Sequence, residues 1–523
     1  MKKHTSSKSH PNRGEKAFLY LTVFLAGAAV LVVEILGAKL LTPYFGTSHF
    51  VWTAQITMTL LALAVGYAVG GTMADWRPSP GGLYAALGVA CVWLSGAALA
   101  CEPVSYAVLR FGLSVGSLLA SLLLFFVPLA ALATVCPYAV KLLTTQLAHV
   151  GGRVGRLTAL STIGSVAGTL LIGYALLPYL ENTHILLGTA GVLGVLVLIY
   201  GIFWARSGFG FLFLMLVLFL GFGWLSLRHP PLQPPPGLRE LYRRNSNFGL
   251  LQVVETRDGR RRYYLNDLLI QDSWDPLTKK SQSMFTYMLH GLARAYAPQA
   301  KKVLCIGLGI GIVPRQFAAE GAQVDVVEIN PAVVPVAERF FDFHPEQLHR
   351  LWFGDGRYYL ESCTNRYEVI ILDAFLGESP PSHLMTREAF TQARERLTED
   401  GVLVINAFGE LDPGRDFMTA SLYWTLAEVF PTVRFYTSGN GNIFFVASPR
   451  KDRKPVQPMD WSGVPAELFA EVQAASVPRT PPARSHGMIL TDAYNPADFY
   501  DAVNRMQLRR LLALSFRPEL EAE

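Results

Sequence analysis

The sequence predicts a multi-domain protein. A polytopic α-helical membrane domain of about seven spans precedes an α/β, Rossmann-like domain that has a small β-hairpin subdomain in front of it. Apolar residues make up 51% of the 523 residues, and charged residues are sparse from 17 to 227 but ordinary afterwards. This contrast predicts the membrane domain, and a glycine turn between two apolar runs at 302–330 predicts the Rossmann-like sheet. A chain of this length also exceeds one compact domain.

The N-terminal region has the layout of a multi-pass membrane protein. Residues 1–16 are polar and basic, as expected for a cytoplasmic tail. Within 17–228, apolar runs long enough to cross a bilayer lie near 17–41, 51–74, 82–101, 114–138, 157–179, 184–204 and 209–227. The basic residues on the side of the tail are Arg77, Lys141, Arg153, Arg156 and Arg206. The positive-inside rule therefore predicts a multi-pass protein of the cell (inner) membrane with a cytoplasmic N-terminus.

Three features stand out within the spans. Glu34 lies inside the first span, where a carboxylate is costly, so it is either functional or part of a helix–helix hydrogen bond. The prolines of the fourth span, Pro128 and Pro137, predict that the helix is kinked or ends there. Glycines of the fifth span predict a close-packed helix face formed by Gly164, Gly168 and Gly173.

Four further regions follow the spans. Prolines predict an extended linker at 229–245. The small β subdomain is expected at 246–280, because Asp258-Gly259 separates two strand-like runs, LLQVVET and RRRYYLNDLLIQ. The Rossmann-like domain is expected at 281–450, and a C-terminal extension at 451–523. Strands near 351–354, 368–373, 402–407, 432–437 and 442–447, the last two joined by Asn440-Gly441, predict a mostly parallel sheet with a terminal antiparallel pair.

The glycine turn predicts a nucleoside site. An apolar strand at 303–306 leads into the turn, and a second strand at 324–329 carries Glu328. Glycines let the backbone approach a ligand, and an acid about 20 residues later can accept both ribose hydroxyls. The spacing is GxGxG rather than GxGxxG, which suits a nucleoside without a pyrophosphate, such as an adenosyl sulfonium. The glycines are Gly307, Gly309 and Gly311.

Two more acids follow strands of the same predicted sheet. Asp355, followed by Gly356, closes the third strand, where an acid can accept the adenine amino group. Asp373 closes the fourth strand and is expected over the reacting centre. Ligands of such sheets bind beyond the carboxyl ends of the strands, so these groups should converge. The alternative for each acid alone is a helix cap or a solvated turn.

Residues 246–448 resemble spermidine synthases and related aminopropyltransferases. The matching segments are SNFGLLQVVE, YLNDLLIQ, VLCIGLGIG, VDVVEINPAVVPVAERFF, GDGRYYL, VIILDAF and EDGVLVINAFG. The whole chain, through VVEILGAKLLTPYFGTS, DAFLGESPPSHLMT and LTDAYNP, resembles the membrane-fused spermidine-synthase-like proteins of bacteria. The resemblance implies a fold like that of class I adenosylmethionine-dependent methyltransferases.

The resemblance also implies roles for individual residues. It places the ribose on Glu328 and the adenine side on Asp355 and Gly356. It makes Asp373 the base that deprotonates the attacking amine; a protonated amine has no lone pair, and a carboxylate can both attract it and take its proton. The remaining residues implied to line the cofactor pocket are Gln271, Gly307, Gly309 and Gly311.

The chain departs from the family at three places that recognise cations. Ile310 stands where the glycine loop usually carries Asp, and Ser281-Gln282 replaces an Asp-Glu pair that faces the aminopropyl ammonium. Leu376 replaces the acid that grips the far end of a diamine. A short free diamine would therefore be poorly held, and S-adenosylmethionine becomes a candidate beside its decarboxylated form.

Nearby residues offer substitutes for the missing groups. Asp272 and Asp275 are close in sequence and could compensate for the lost carboxylates. His383 would line the far end of the amine, or alternatively stabilise its own loop by a hydrogen bond. These residues leave the identity of the sulfonium donor and of the amine open.

Three functions remain compatible with the sequence. The first is aminopropyl transfer from decarboxylated S-adenosylmethionine to an amine, in polyamine biosynthesis. The second is N-methyl transfer from S-adenosylmethionine to a membrane or exported substrate. The third is a transporter or sensor whose second domain only binds a nucleoside, an alternative suggested by Glu34 and the span count.

The sequence also indicates which partners and cofactors to expect. The expected partners are the lipid bilayer and a polyamine or lysine-like amine, and homo-oligomers are compatible with the sequence. A net charge of +5 does not indicate nucleic acid, and five scattered cysteines without a ligand spacing do not indicate a metal.

The predicted membrane topology conflicts with the predicted cofactor. Seven spans after a cytoplasmic N-terminus put the second domain outside the cytoplasm, whereas the adenosyl cofactor is made inside. Either one span is miscounted, or the membrane domain supplies the cofactor across the bilayer. The sequence therefore leaves the side of the second domain open.

Overall fold

The computed structural model describes residues 12–508, except 47–48, 145–149, 206–208, 235–236, 376, 378–379, 440, 503 and 506. Among the predicted features, residues 1–11 of the tail, Arg206, Leu376 and the turn residue Asn440 lie outside the described residues. The chain divides into two compact units, residues 1–233 and residues 234–523.

All regular secondary structure in the described part of the first unit is helical. The described part of the chain contains seven helices that are long and apolar enough to cross a membrane, which confirms the predicted number. The shortest apolar stretch, Gly210–Arg228, has 19 residues and therefore spans about 28 Å. The helices are α1 Arg13–Phe45, α2 His49–Trp76, α3 Pro80–Leu109, α4 Leu113–Leu143, α5 Val150–Leu176, α6 Asn182–Phe203 and α7 Phe209–Arg228.

The first helix begins earlier than predicted. The Asn12 side chain accepts a hydrogen bond from the backbone N–H of Glu15 at 2.8 Å. This cap satisfies one of the free N–H groups of the first turn and lets α1 start at Arg13. The predicted tail at 1–16 therefore loses its last four residues to the helix.

Helices α1 and α5 pack closely through small residues. A Cβ atom added at Gly164 or Gly168 would collide with a backbone carbonyl of α1, that of Phe24 or Ala28. The Ser165 hydroxyl donates to the carbonyl of Gly27 at 2.9 Å. The prediction of a close-packed face is confirmed for these two glycines. It is wrong for Gly173, which lies in the last, π-helical turns of α5 with nothing within 4 Å of an added Cβ.

Helix α4 is irregular near its prolines but continues past both. A π-helical turn at Leu122–Phe126 precedes Pro128, and a turn at Thr134 precedes Pro137. Pro128 has no N–H to donate to the carbonyl of Leu124, and the Trp93 indole N–H donates to that carbonyl at 3.1 Å. The prolines therefore interrupt the helical pattern without ending the span.

Glu34 is half-buried in α1. The structure shows no hydrogen bond from its carboxylate to any residue it describes. The helix–helix hydrogen bond, one of the two interpretations of this carboxylate, is therefore not seen within the described residues, and the functional interpretation stays a prediction.

A five-stranded antiparallel sheet opens the second unit. Its strands, in spatial order, are β1 Leu238–Ser246, β2 Gly249–Thr256, β3 Arg262–Asn266, β4 Leu269–Asp275 and β5 Lys280–Ser281. The predicted linker at 229–245 is too long, because Leu238–Ser246 pairs with β2. The run RRRYYLNDLLIQ is not one strand, since Asp267 and Leu268 adopt positive φ of 48° and 67° and turn the chain between β3 and β4.

A seven-stranded sheet forms the rest of the second unit. Its order is β11-β12-β10-β9-β6-β7-β8, and β12 alone runs antiparallel to its neighbours, which confirms the predicted topology. The strands are β6 Lys302–Ile306, β7 Gln323–Glu328, β8 Arg350–Phe353, β9 Tyr367–Leu372, β10 Leu397–Phe408, β11 Thr432–Tyr436 and β12 Asn442–Ser448. The helices are α8 Met284–Tyr296, α9 Ile312–Ala319, α10 Val333–Phe341, α11 Gly356–Ser362, α12 Arg387–Glu395, α13 Phe417–Val429, α14 Ala466–Ala475 and α15 Ala497–Tyr500.

The described part of the C-terminal extension packs on this sheet. Val472 and Ala475 of α14 join the core on one face, with β6 and α8. Leu490 and Ala497 join the core on the other face, with β9 and β10. The segment therefore completes both layers of the α/β unit.

The packing of α1 against α5 yields a prediction for the stability of the first unit. Gly168→Leu should lower the melting temperature of the detergent-solubilised chain, because overpacking against the Ala28 carbonyl costs on the order of 1–3 kcal/mol. Gly173→Leu is the matched control and should leave the melting temperature unchanged. Equal shifts in the two variants would contradict the observed packing.

Candidate active site

A cavity of about 300 Å³ lies at the carboxyl ends of the central strands of the large sheet. Its lining combines apolar and aromatic side chains with a few polar groups, the usual composition of a small-molecule site. The central strands β9, β6 and β7 are neighbours, so the groups that follow them converge. Of the predicted site residues, the lining includes Gln271, Asp272, Gly307, Gly309, Glu328, Asp355, Gly356, Asp373 and His383.

The glycine turn after β6 allows an unusually close approach of two strand ends. Gly307 has a φ of 99°, and a Cβ atom there would collide with the carbonyl oxygen of Asp373. Gly311, with a φ of 80°, caps α9 and packs against the ring of Phe343 without lining the cavity. Of the three predicted glycines, Gly307 and Gly309 therefore form the cavity floor, and Gly311 shapes the turn.

Glu328 ends β7 as a buried carboxylate. One oxygen accepts from the backbone N–H of Leu308 at 3.0 Å, and the other accepts from that of Asn330 at 2.7 Å. Burial raises the pKa of Glu328, although these backbone donors oppose the rise. The carboxylate is thus fixed between the glycine turn and the end of β7, at the edge of the cavity.

Asp355 is both a helix cap and part of the cavity lining. Its Oδ1 accepts from the backbone N–H groups of Arg357 at 2.8 Å and Tyr358 at 3.1 Å, at the start of α11. Its Oδ2 contacts Nε2 of His383 at 2.8 Å. Burial alone would raise the pKa of Asp355, but the His383 contact and the backbone donors outweigh it and leave the pKa below its usual value. His383 therefore lies on the predicted adenine side, where it fits the loop-stabilising alternative.

Asp373 follows β9 and is held by a chain of amides. Asn406 donates from Nδ2 to Oδ1 of Asp373 at 2.9 Å, and Asn442 donates from Nδ2 to Oδ1 of Asn406 at 3.0 Å. Asp373 keeps contact with the cavity, yet the surrounding strand ends remove most of its water, and this burial raises its pKa to about 6. The sequence interpretation missed both amides. The signal was Asn406 in the apolar run VLVINAF, at the end of another parallel strand.

The structure separates the two acids proposed as substitutes. Asp272 is buried on β4 and lines the cavity, where its Oδ2 accepts from the backbone N–H of Ile310 at 3.3 Å. Burial raises the pKa of Asp272 well above its usual value, and the nearby charge of Asp373 adds to the effect. Asp275 is not among the lining residues. Its carboxylate accepts from the backbone of Leu277 at 2.8 Å in the turn that follows β4.

Ser281, Gln282 and Ile310, which stand at cation positions of the family, do not line this cavity. Ser281 bonds within its own turn, accepting from the backbone N–H of Ser283 at 3.0 Å. Ser283 and Phe285 line the cavity in place of Ser281 and Gln282. Ile310 is buried in the core of the unit. These three positions therefore provide no hydrogen-bond acceptor for an ammonium in this cavity.

The topology of the large sheet identifies the type of fold. A mostly parallel sheet with one antiparallel strand, a glycine turn after β6 and acids at the ends of β7, β8 and β9 is typical of the class I methyltransferase-like fold. Residues 282–438 match the family model for the spermine/spermidine synthase domain. The second unit therefore carries a spermidine synthase domain.

The similar curated proteins carry the names of two kinds of transferase. A polyamine aminopropyltransferase of Vibrio vulnificus is 40% identical over 140 residues, which is 26% of this chain and 46% of the relative. An N-terminal histidine N-methyltransferase of Emericella nidulans is 34% identical over 152 residues, 28% of this chain and 26% of the relative. The chain thus spans about half or less of these two curated relatives.

Among solved structures, a probable spermidine synthase from Corynebacterium glutamicum is similar over 48% of this chain and 90% of its own, with 19% identity and a TM-score of 0.36.

The placement of Glu328 yields a prediction for ligand binding. Glu328 is predicted to accept hydrogen bonds from the ribose hydroxyls of an adenosyl ligand. Glu328→Gln should therefore weaken binding of methylthioadenosine at least tenfold, because a hydrogen bond to a charged group contributes about 1.5–3 kcal/mol. Isothermal titration of the full chain measures this affinity. Glu361→Gln, an exposed position on α11, is the control. Unchanged affinity in a folded Glu328→Gln variant would remove Glu328 from the ribose site.

Proposed function

We propose that the second unit transfers an aminopropyl group from decarboxylated S-adenosylmethionine to an amine. The observation that carries the proposal is the Asp373 carboxylate. It lies at the end of β9 against the glycine turn and is oriented by Asn406, with a pKa of about 6. A base whose pKa lies just below neutrality is ionised at pH 7 and can still take a proton. The aminopropyltransferase relatives support the same activity.

The lining fits an adenosyl group in this proposal. Glu328 accepts the ribose hydroxyls, and Asp355 with Gly356 borders the adenine. Gln271 and the turn of Gly307 and Gly309 lie beneath the remaining, sulfonium-bearing tail. These positions bring the carbon beside the sulfonium toward Asp373, and such positioning supplies much of the rate acceleration.

The proposed transfer needs no reactant besides the amine and the sulfonium donor. The amine arrives protonated, and Asp373 accepts one proton, which frees the nitrogen lone pair. The lone pair attacks the methylene carbon bonded to the sulfonium. A carbon–nitrogen bond forms, the carbon–sulfur bond breaks, and the electron pair of the broken bond stays on sulfur as a neutral thioether. Asp373 then returns its proton to water, and Asn406 keeps its carboxylate in the same orientation throughout.

Methyl transfer from S-adenosylmethionine is the second candidate. Two observations favour it: one relative bears the name of a histidine N-methyltransferase, and the chain lacks the family's acids at Ile310 and Ser281-Gln282. The same base would serve, with the methyl carbon as the point of attack. The acceptor would then be a lysine-like or histidine-like amine of a membrane or exported substrate.

The function is tested by product analysis with the full chain. Mass spectrometry after incubation with each sulfonium donor and a panel of amines should find an aminopropylated product. Asp373→Asn should bind methylthioadenosine within a few-fold of the natural chain yet lose turnover by about two or more orders of magnitude. Methylated product with S-adenosylmethionine alone would favour the second candidate. Turnover within a few-fold in Asp373→Asn would place the base elsewhere.

The pH dependence gives an independent check on the same base. The pKa of Asp373 is raised to about 6, so the carboxylate becomes protonated, and inactive as a base, when the pH falls through about 6. The rate should therefore fall on the acid side near pH 6 instead of near pH 4. The Asn406 hydrogen bond lowers this pKa, so Asn406→Ala should move the acid limb to higher pH. A limb that does not move would contradict the role of Asn406.

We also propose that the seven helices of the first unit span the inner membrane with the N-terminus in the cytoplasm. The support is the number, length and composition of the helices, together with the basic loops on the side of the tail. Because seven is odd, an alkaline phosphatase fused after Arg239 should be active and a green fluorescent protein fused there should be dark. The opposite pattern would show that one helix does not cross.

A further inference from the structure

Asp272 occupies the place beside the glycine turn where the family carries an acid on the turn itself. Its Oδ2 accepts from the backbone N–H of Ile310 at 3.3 Å and lies next to Gly309, where an added Cβ atom would come within 2.8 Å of it. The Ile310 side chain is buried in the hydrophobic core instead. The carboxylate missing from position 310 is therefore replaced by one that reaches the same turn from β4.

The Asp272 carboxylate is buried and incompletely satisfied. The side chain is 5% exposed, and its Oδ1 is buried without a hydrogen-bond partner. Within the described part of the chain, no Lys, Arg or His forms an ion pair with Asp272. A buried carboxylate is costly unless a cation or hydrogen-bond donor reaches it. The neighbouring Asp373 adds a like charge, and the described residues that line the cavity include no Lys or Arg.

We propose that Asp272 binds the terminal ammonium of the aminopropyl tail and thereby selects the decarboxylated sulfonium over S-adenosylmethionine. The inference rests on the proposed function, because it takes the glycine turn as the floor beneath the tail of the donor. The decarboxylated donor ends in a single ammonium, which pairs with Asp272. The tail of S-adenosylmethionine also carries a carboxylate, and a further carboxylate is unfavourable in a buried place that already holds Asp272 and Asp373.

The position of Asp272 assigns it to the donor and not to the acceptor amine. Its Oδ2 accepts from the backbone N–H of Ile310 in the turn that follows β6, whereas Asp373 follows β9, and its carboxylate is bonded to Asn406 of β10. One acid therefore holds the tail of the donor, and the other is left to take the proton of the acceptor.

Competition binding with the full chain in detergent tests this assignment. The probes are methylthioadenosine, which has no charged tail, decarboxylated S-adenosylmethionine and S-adenosylmethionine. In Asp272→Asn, methylthioadenosine should bind within a few-fold of the natural chain and the decarboxylated donor at least tenfold more weakly. S-adenosylmethionine should bind equally or more tightly. The preference for the decarboxylated donor should thus fall at least tenfold.

Asp275→Asn is the matched control. It removes a carboxylate three positions later, at the end of the same strand and outside the cavity lining, and should leave the preference unchanged. Asp272→Ser serves as a second variant if the asparagine variant does not fold, with the same expected loss of preference.

Several results would overturn the inference. The natural chain could bind S-adenosylmethionine as tightly as the decarboxylated donor, or either Asp272 variant could keep the preference while methylthioadenosine binding is intact. A rise in the KM of the acceptor amine alone would assign Asp272 to the acceptor. A different result would contradict the proposed function: the natural chain would yield no aminopropylated product although its donor preference depends on Asp272. That combination supports the inference and refutes the activity.

Discussion

The removal of water from carboxylates at one edge of a parallel sheet is the constraint on which the second unit depends. Glu328 lies at the end of β7, and Asp373 follows β9. Glu328 accepts hydrogen bonds from backbone N–H groups, and Asp373 accepts one from the Asn406 side chain. Asp272 reaches the same edge from the smaller sheet with one oxygen unpartnered. Buried carboxylates need such donors to stay charged, and a cationic ligand supplies what the protein leaves out.

The glycine turn makes this arrangement geometrically feasible. Gly307 lets the end of β6 touch the backbone of Asp373, so two strand ends meet with no side chain between them. Because Gly307 has no side chain, the cavity can extend to these strand ends. The small sheet then contributes Gln271 and Asp272 from β4, which closes one side of the cavity. The groups proposed for catalysis and for donor selection therefore come from two sheets, and the proposed chemistry requires both.

The two units use the same device, close backbone approach at glycine, for different purposes. In the first unit, Gly164 and Gly168 bring α5 against the carbonyls of α1, where van der Waals packing holds apolar helices together. In the second unit, Gly307 brings two strand ends together to shape a binding site. In both units a substituted side chain would meet backbone, which cannot move aside as a flexible side chain can.

Features that rest on local sequence patterns could be predicted without the structure. Apolar runs predicted the seven helices, and the strand–turn–helix–strand pattern around Gly307 with Glu328 predicted the central sheet. Contacts between side chains that are distant in sequence became visible only in the folded chain. The turn at Asp267-Leu268 lacks the glycine that marks such turns. Likewise, Asp272 and Asp275 look equivalent in sequence, yet one reaches the cavity and the other turns away. The physical reason is that helices and strands follow from residues near in sequence, whereas burial and hydrogen-bond partners depend on residues far apart.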